Sequence, residues 1–193
     1  MNYKQLNQQQ NSFTRDFIHG NNCFIMNRLV ITLLVCFVFI GVIYSEGNVL
    51  SNGFGDEIEW KPWNEALDLA KKTEKPIMVL LHKTSCPACK SFKPIFAKSK
   101  EILELSSKFI MVNAKFGQEP SNEPKLSVDG KYVPRIIFLD SESNVLKEVI
   151  NHKGNPKYKY FHQTAQTVVQ AMESALNIIS AKKTSEGTPS TEL

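Results

Sequence analysis

Two neighbouring runs decide the fold: Pro76-Ile77-Met78-Val79-Leu80-Leu81-His82 and, just beyond it, Cys86-Pro87-Ala88-Cys89. The first run is short, apolar and rich in Ile, Val and Leu, and a proline opens it, which predicts a buried strand. After the second run, Phe92, Ile95 and Phe96 recur at a helical spacing, which predicts a helix. The two thiols are therefore expected where a buried strand turns into a helix.

This position predicts the chemistry of the two thiols. Cys86 is expected at the helix N-terminus, where unpaired N–H groups and the positive end of the helix dipole favour a thiolate. Two intervening residues let one helical turn bring both sulfurs within bonding distance, with Cys89 one turn deeper. We therefore predict that Cys86 attacks a substrate disulfide and that Cys89 resolves the mixed disulfide.

Two residues before the motif carry open alternatives. His82 and Lys83 precede Cys86 closely, and a positive charge on either would lower the pKa of its thiol. The alternative for Lys83 is a solvated loop charge, which the weakness of exposed charge interactions favours. The alternative for His82 is an uncharged residue of the buried strand.

The N-terminal part of the chain has the pattern of an export signal. Residues 1–25 are polar and predict an unstructured extension. A basic residue, the apolar stretch 29–44 and a small residue follow, which is typical of a secretory signal peptide. We predict a signal peptide over 26–45, with translation from Met26. Because the stretch is intermediate in length, a retained membrane anchor over 29–44 is the alternative.

Cleavage after this signal would leave one pair of cysteines. Cys23 and Cys36 would be removed, and Cys86 and Cys89 would remain. A pair that closes so short a segment does little to stabilise a fold, because the effect depends on a long loop. In a secretory protein such a pair is more plausibly reactive than structural.

A structural zinc site is the other interpretation of the pair. Zinc usually takes four ligands, and the remaining candidates are His82, His152 and His162. No second closely spaced ligand pair exists, so we expect no metal site. The net charge is +4 over 193 residues, and cleavage would lower it further. This charge gives no reason to expect nucleic acid as a partner.

The remaining patterns predict an α/β three-layer sandwich with a mixed sheet, antiparallel at one edge. The predicted domain covers 57–182, and the polar residues 183–193 predict a disordered tail. A parallel strand pair is expected because helices separate the first two strands. The expected elements are helices at 64–72 and 101–107, strands at 109–113 and 135–139, a hairpin partner at 145–150, a loop at 117–131 and a last helix with Thr164 as N-cap.

The chain resembles the thioredoxin-fold proteins in three features: Cys86-Pro87-Ala88-Cys89 after a buried strand, Pro94 inside the following helix, and Val133-Pro134 before a later strand. The resemblance implies that Pro134 is cis and that the backbone of Val133 offers hydrogen bonds to a bound substrate peptide. An X-Pro bond is the common place for a cis peptide, so this is chemically reasonable.

A closer resemblance is to the small single-domain oxidoreductases of the endoplasmic reticulum typified by thioredoxin domain-containing protein 12, which are related to the anterior-gradient proteins. It covers about Trp60 to Ala181 and includes the segments His82-Lys83, Met111-Val112-Asn113 and Gly154-Asn155-Pro156. It implies a thiol–disulfide oxidoreductase acting on disulfide-containing secretory proteins. It implies no bound cofactor, with glutathione or another thiol oxidoreductase as electron donor.

The chain departs from the family pattern at four places. Ser85 stands for a tryptophan, Pro87 for a glycine, and Leu80 for the buried acid that serves the second cysteine in thioredoxin. The ending Ser190-Thr191-Glu192-Leu193 shares only Glu-Leu with the Lys-Asp-Glu-Leu retention signal, so secretion is the alternative to the endoplasmic reticulum lumen. Because of Ser85 and Leu80, a client-binding chaperone with little turnover is the alternative function.

Overall fold

The sheet of this protein has one parallel and one antiparallel strand pair. The computed structural model describes residues 49–186, and within them the strands are β1 (Ile77–His82), β2 (Ile110–Lys115) and β3 (Arg135–Leu139), in the order β2-β1-β3. β1 and β2 are parallel, and β1 and β3 are antiparallel. β1 is buried along its whole length, as its unbroken apolar sequence predicts for a central strand.

Within residues 49–186, four helices surround this sheet. They are α1 (Trp63–Thr73), α2 (Pro87–Ala97), α3 (Lys100–Ser106) and α4 (Ala165–Glu186), and short 3-10 turns cover Val49–Ser51 and Pro124–Leu126.

The starts of the helices follow their capping residues. Ser99 accepts a hydrogen bond from the backbone N–H of Ile102 at 3.3 Å. Thr164 accepts one from the backbone N–H of Thr167 at 3.2 Å, which confirms its prediction as an N-cap. Each bond satisfies one of the donors that a helix start leaves without a partner.

The two faces of the sheet pack against different helices, because side chains alternate along each strand. Met78, Leu80 and Phe138 point to the face covered by α2, α3 and α4. Ile77 and Val79 point to the face covered by α1. The predicted class, a thioredoxin-like three-layer α/β/α sandwich with a mixed sheet, is confirmed.

The predicted hairpin partner at 145–150 is wrong. Val145 makes only an isolated bridge to Leu139. The backbone then turns, since the N–H of Val149 bonds to the carbonyl of Leu146 at 3.1 Å. The side chains of Leu146 and Val149 are both buried in the same core cluster, so the segment serves as packing material and not as a strand.

Two predicted boundaries also differ from the structure. Helix α4 continues to Glu186, so residues 183–186 are helical where a disordered tail was expected. Phe54 is fully buried in the core, so the packed domain begins before residue 57. The expectations for residues 1–25, for the signal peptide at 26–45 and for 187–193 lie outside the described residues.

Between residues 49 and 186, none of the helices combines the length and the apolar character needed to span a bilayer.

Candidate active site

Three strand ends meet at one edge of the sheet. The parallel pairing places the C-terminal residues of β1 and β2, His82 and Lys115, opposite each other. The antiparallel pairing places Arg135, the first residue of β3, opposite Leu81. The loop that follows β1 and the loop that precedes β3 therefore emerge side by side, and these loops carry Cys86 and Val133.

Cys86 is the N-cap residue of α2. Its Sγ accepts a hydrogen bond from the backbone N–H of Cys89 at 3.2 Å. Pro87 occupies the first helical position, where a missing N–H removes no helical bond. Cys86 is half-buried, and its neighbours Ser85 and Pro87 are exposed. The sulfur at this position is open to a reaction partner.

The loop before β3 faces this sulfur. The thiol of Cys86 donates a hydrogen bond to the carbonyl oxygen of Val133 at 3.6 Å. The Val133–Pro134 peptide is cis, as the resemblance implies. Pro134 is buried and Val133 is half-buried. The structure therefore brings together all four residues named from the sequence, Cys86, Cys89, Val133 and Pro134.

Cys89 lies one helical turn deeper and is 2% exposed. Burial is the largest cause that raises the pKa of its thiol, and with the hydrogen-bonded contact to Cys86 the pKa reaches about 12. Both cysteines are free thiols. The motif thus has an accessible outer sulfur and a protonated inner one in contact with it.

Leu80 and His82 leave Cys89 without a strong proton acceptor. Leu80 is fully buried, so an alkyl side chain fills the position of the thioredoxin acid. Burial, together with the positive charges of Lys93 and Lys115, lowers the pKa of His82 to about 4. An imidazole with this pKa is neutral at physiological pH.

The alternative for His82 is thereby decided in favour of an uncharged residue of the buried strand. His82 is buried and uncharged, so it supplies no positive charge near Cys86. Lys83 is exposed, and its ammonium lies 5.7 Å from the centre of the Phe116 ring. Of the two, only Lys83 brings a positive charge to the surface around the motif.

Comparison with known proteins places this domain. Residues 59–141 match a family model described as thioredoxin-like. The chain is 37% identical over 135 residues to anterior gradient protein 3 of Mus musculus, covering 69% of this chain and 80% of that relative. It is 33% identical over 131 residues to the anterior gradient protein 2 homolog of Homo sapiens, covering 67% and 73%.

The chain belongs to the anterior gradient family. Among solved structures it is similar to a thioredoxin from Thermus thermophilus, with a TM-score of 0.49, 15% identity and coverage of 69% of this chain and 98% of that one.

In this anterior gradient family member, a polar network that no sequence motif indicates lies behind the loop that carries Val133. The hydroxyl of Tyr132 donates to Asp129 Oδ2 at 2.6 Å, and the backbone N–H of Lys159 donates to the same oxygen at 2.9 Å. Arg135 is buried, donates to the carbonyl of Gly130 and lies 5.4 Å from the Tyr132 ring. Burial and the hydrogen bond to Asp129 raise the pKa of Tyr132, so its phenol stays a donor. These contacts fix the loop that faces Cys86.

Residues 49–186 contain no group of three or more His, Cys, Asp or Glu side chains placed to hold a metal ion. Of the three candidate histidines, His82 and His162 are buried and His152 is exposed.

Proposed function

We propose that this chain is a thiol–disulfide oxidoreductase that acts on protein disulfides, with Cys86 as nucleophile and Cys89 as resolving thiol. One observation carries the proposal. Cys86 is half-buried and its Sγ caps α2, and the backbone N–H of the deeper Cys89 donates to this sulfur at 3.2 Å. A helix N-terminus favours negative charge, and the spacing keeps the second sulfur within reach of the first.

The reaction runs in two exchanges. The Cys86 thiolate attacks a substrate disulfide, which forms a Cys86–substrate disulfide and releases the first substrate sulfur as a thiolate that takes up a proton. Cys89 then loses its proton and attacks Cys86 Sγ, which forms the Cys86–Cys89 disulfide and releases the second substrate thiol. The substrate gains two electrons and the cysteine pair loses two.

The loop before β3 is the proposed contact for the substrate main chain. The carbonyl of Val133 already accepts a hydrogen bond from Cys86 at 3.6 Å, so a bound peptide beside this loop lies next to the nucleophile. Val133 and Pro134 are accordingly the proposed substrate-binding residues.

The partners and the compartment complete the proposal. We infer that the substrates are disulfide-containing secretory proteins and that glutathione or another thiol oxidoreductase returns the pair to its reduced form. The lumen of the endoplasmic reticulum is the proposed location, with secretion as the alternative. Within the family, the intact cysteine pair supports the closer likeness to thioredoxin domain-containing protein 12.

Trapping tests the proposal. Cys89→Ser should accumulate mixed disulfides on Cys86, visible on non-reducing gels and lost after reduction. Cys86→Ser should form none and should not reduce insulin. Ser91→Ala, an exposed change on the same helix, is the matched control and should behave as the unmodified chain. Equal insulin reduction by Cys86→Ser and the unmodified chain would exclude Cys86 as the nucleophile.

A client-binding role with little turnover is the second candidate, and the surroundings of Cys89 favour it. A thiol with a pKa of about 12 ionises rarely, so the second exchange is slow and the client stays attached to Cys86. A single-turnover experiment separates the two roles. Release of a labelled client within seconds supports the enzyme, whereas retention for hours supports the chaperone.

A further inference from the structure

Exposed aromatic side chains lie on both sides of Cys86. Phe116 is 40% exposed and Tyr158 is 45% exposed. The backbone N–H of Phe116 bonds to the carbonyl of His82 at 2.7 Å, which places it on the β2 side of the loop that carries Cys86. The Tyr158 ring packs at 4.8 Å against Tyr132, next to Val133 on the β3 side.

The same edge of the molecule is rich in lysine. Residues 75–100 and residues 149–172 contain no Asp or Glu. Lys83 and Lys90 flank the cysteine pair, and Lys157 and Lys159 flank Tyr158; all four are exposed. The ion pairs found among residues 49–186 involve other lysines, namely Lys61, Lys182 and Lys183.

Asp129, an acid in the loop before β3, is already engaged. Asp129 accepts hydrogen bonds from the Tyr132 hydroxyl and from the backbone of Lys159. Its charge is therefore turned toward the Val133 loop, and the four lysines face solvent with their positive charge uncompensated by it.

We propose that Phe116 and Tyr158, with the lysines beside them, form a docking surface for an extended protein segment that carries acidic and apolar side chains around its cysteine. The surface combines exposed rings, which release water when an apolar side chain covers them, with positive charges that attract carboxylates. This inference rests on the proposed function only in naming the substrate class of the same site.

The combination favours a protein segment over glutathione. Glutathione offers carboxylates but no large apolar side chain, so it cannot pack against the rings of Phe116 and Tyr158. A polypeptide across the edge can contact Phe116 on one side of Cys86 and Tyr158 on the other. Aromatic residues in the centre of a contact commonly carry most of the binding energy.

A binding assay without turnover tests this surface. The full chain with Cys86→Ser and Cys89→Ser is titrated with labelled peptides in which serine replaces the cysteine, and fluorescence anisotropy reports affinity. One peptide carries glutamate and leucine around the serine; two matched peptides carry lysine for glutamate or serine for leucine. The acidic, apolar peptide should bind about tenfold more tightly than the lysine peptide at low salt, and added salt should narrow the difference.

Surface variants assign the effect to residues. Phe116→Ser and Tyr158→Ser should each weaken the acidic, apolar peptide about tenfold. The control Ile95→Ser removes a side chain that is 42% exposed farther along α2 and should change affinity less than about twofold. Lys83→Glu and Lys157→Glu should lower the preference for glutamate over lysine, whereas Lys108→Glu, before β2 at the opposite edge, should not.

Several outcomes would overturn the proposal. Equal binding of the glutamate and lysine peptides, no measurable binding, or equal effects of Phe116→Ser and Ile95→Ser each exclude the surface. So does an equal loss of glutathione disulfide reduction and protein reduction in the two aromatic variants, since the rings would then act on Cys86 itself. Trapping with Cys89→Ser is measured separately, so a failure of the proposed chemistry is distinguishable from a failure of docking.

Discussion

Cys89 should remain protonated far above neutral pH. Burial, the largest cause, and the contact with Cys86 together raise the pKa of its thiol from 9.0 to about 12. At pH 8 the thiolate is then about one molecule in ten thousand, against about one in ten for a thiol at the ordinary value. Because only the thiolate reacts, alkylation of Cys89 at this pH should be about a thousandfold slower than that of an unshifted thiol.

Alkylation followed by mass spectrometry measures this shift. Cys86→Ser removes the neighbouring sulfur but keeps burial, the largest cause, and the peptide that contains Cys89 reports its modification alone. Rates with iodoacetamide are recorded across pH, and circular dichroism checks that the chain stays folded. The pH midpoint separates the pKa from simple steric protection. A midpoint near 9 would refute the reasoning, and Cys89→Ser, with Cys86 monitored in the same peptide, is the matched control.

Three further predictions concern stability. Burial lowers the pKa of His82 and His162 to about 4, so below pH 6.5 the unfolded chain binds protons that the folded chain does not. The free energy of unfolding should therefore fall between about pH 6.5 and 4, by up to about 3 kcal/mol per histidine, and urea titrations should show a smaller fall for His162→Asn. Phe96 is fully buried, and Phe96→Ala should cost about 3–5 kcal/mol. Ser99→Ala removes the cap of α3 and should cost about 1 kcal/mol.

For each stability prediction, one experimental outcome would contradict it. If the free energy of unfolding of His162→Asn depends on pH as that of the unmodified chain does, His162 takes up its proton at the same pH in the folded and the unfolded chain. Ile95→Ala is the exposed control for Phe96→Ala, and equal losses would contradict the core position of the phenylalanine. Ser99→Asp should retain the cap, so a loss equal to that of Ser99→Ala would show that the hydrogen bond to Ile102 is not the cause.

Most of the fold could be predicted because local patterns and packing agree. The apolar run of β1, the capping residue Thr164 and the helical spacing after Cys89 each indicate the element that the structure contains. The prediction of a strand at 145–150 was wrong for a physical reason. The apolar residues of this segment occur as two adjacent pairs, so they do not alternate as a half-buried strand requires, and the buried side chains of Leu146 and Val149 serve packing instead.

The residues of the candidate site could be predicted where they belong to a short sequence motif. Cys86, Cys89 and Pro134 follow from motifs that lie within a few residues of a strand. Phe116 and Tyr158, the proposed docking residues, have no such signal, because β2 and the segment before α4 bring them to this edge of the sheet only in the folded chain. The charge state of His82 was equally hidden, since it depends on burial and on lysines distant in sequence.

Because three strand ends meet at one edge of the sheet, the residues around Cys86 can be substituted more freely than the buried residues of the strands. Ser85 lies in the loop after β1 and Pro87 at the first position of α2, both exposed, and the packing beneath them rests on β1, whose residues are all enclosed. Under the proposed function, replacing these two residues should alter reactivity and partner choice while the strand core stays enclosed. Under the proposed function, such a chain can change the redox properties of its cysteine pair through a few substitutions at this one edge of the sheet.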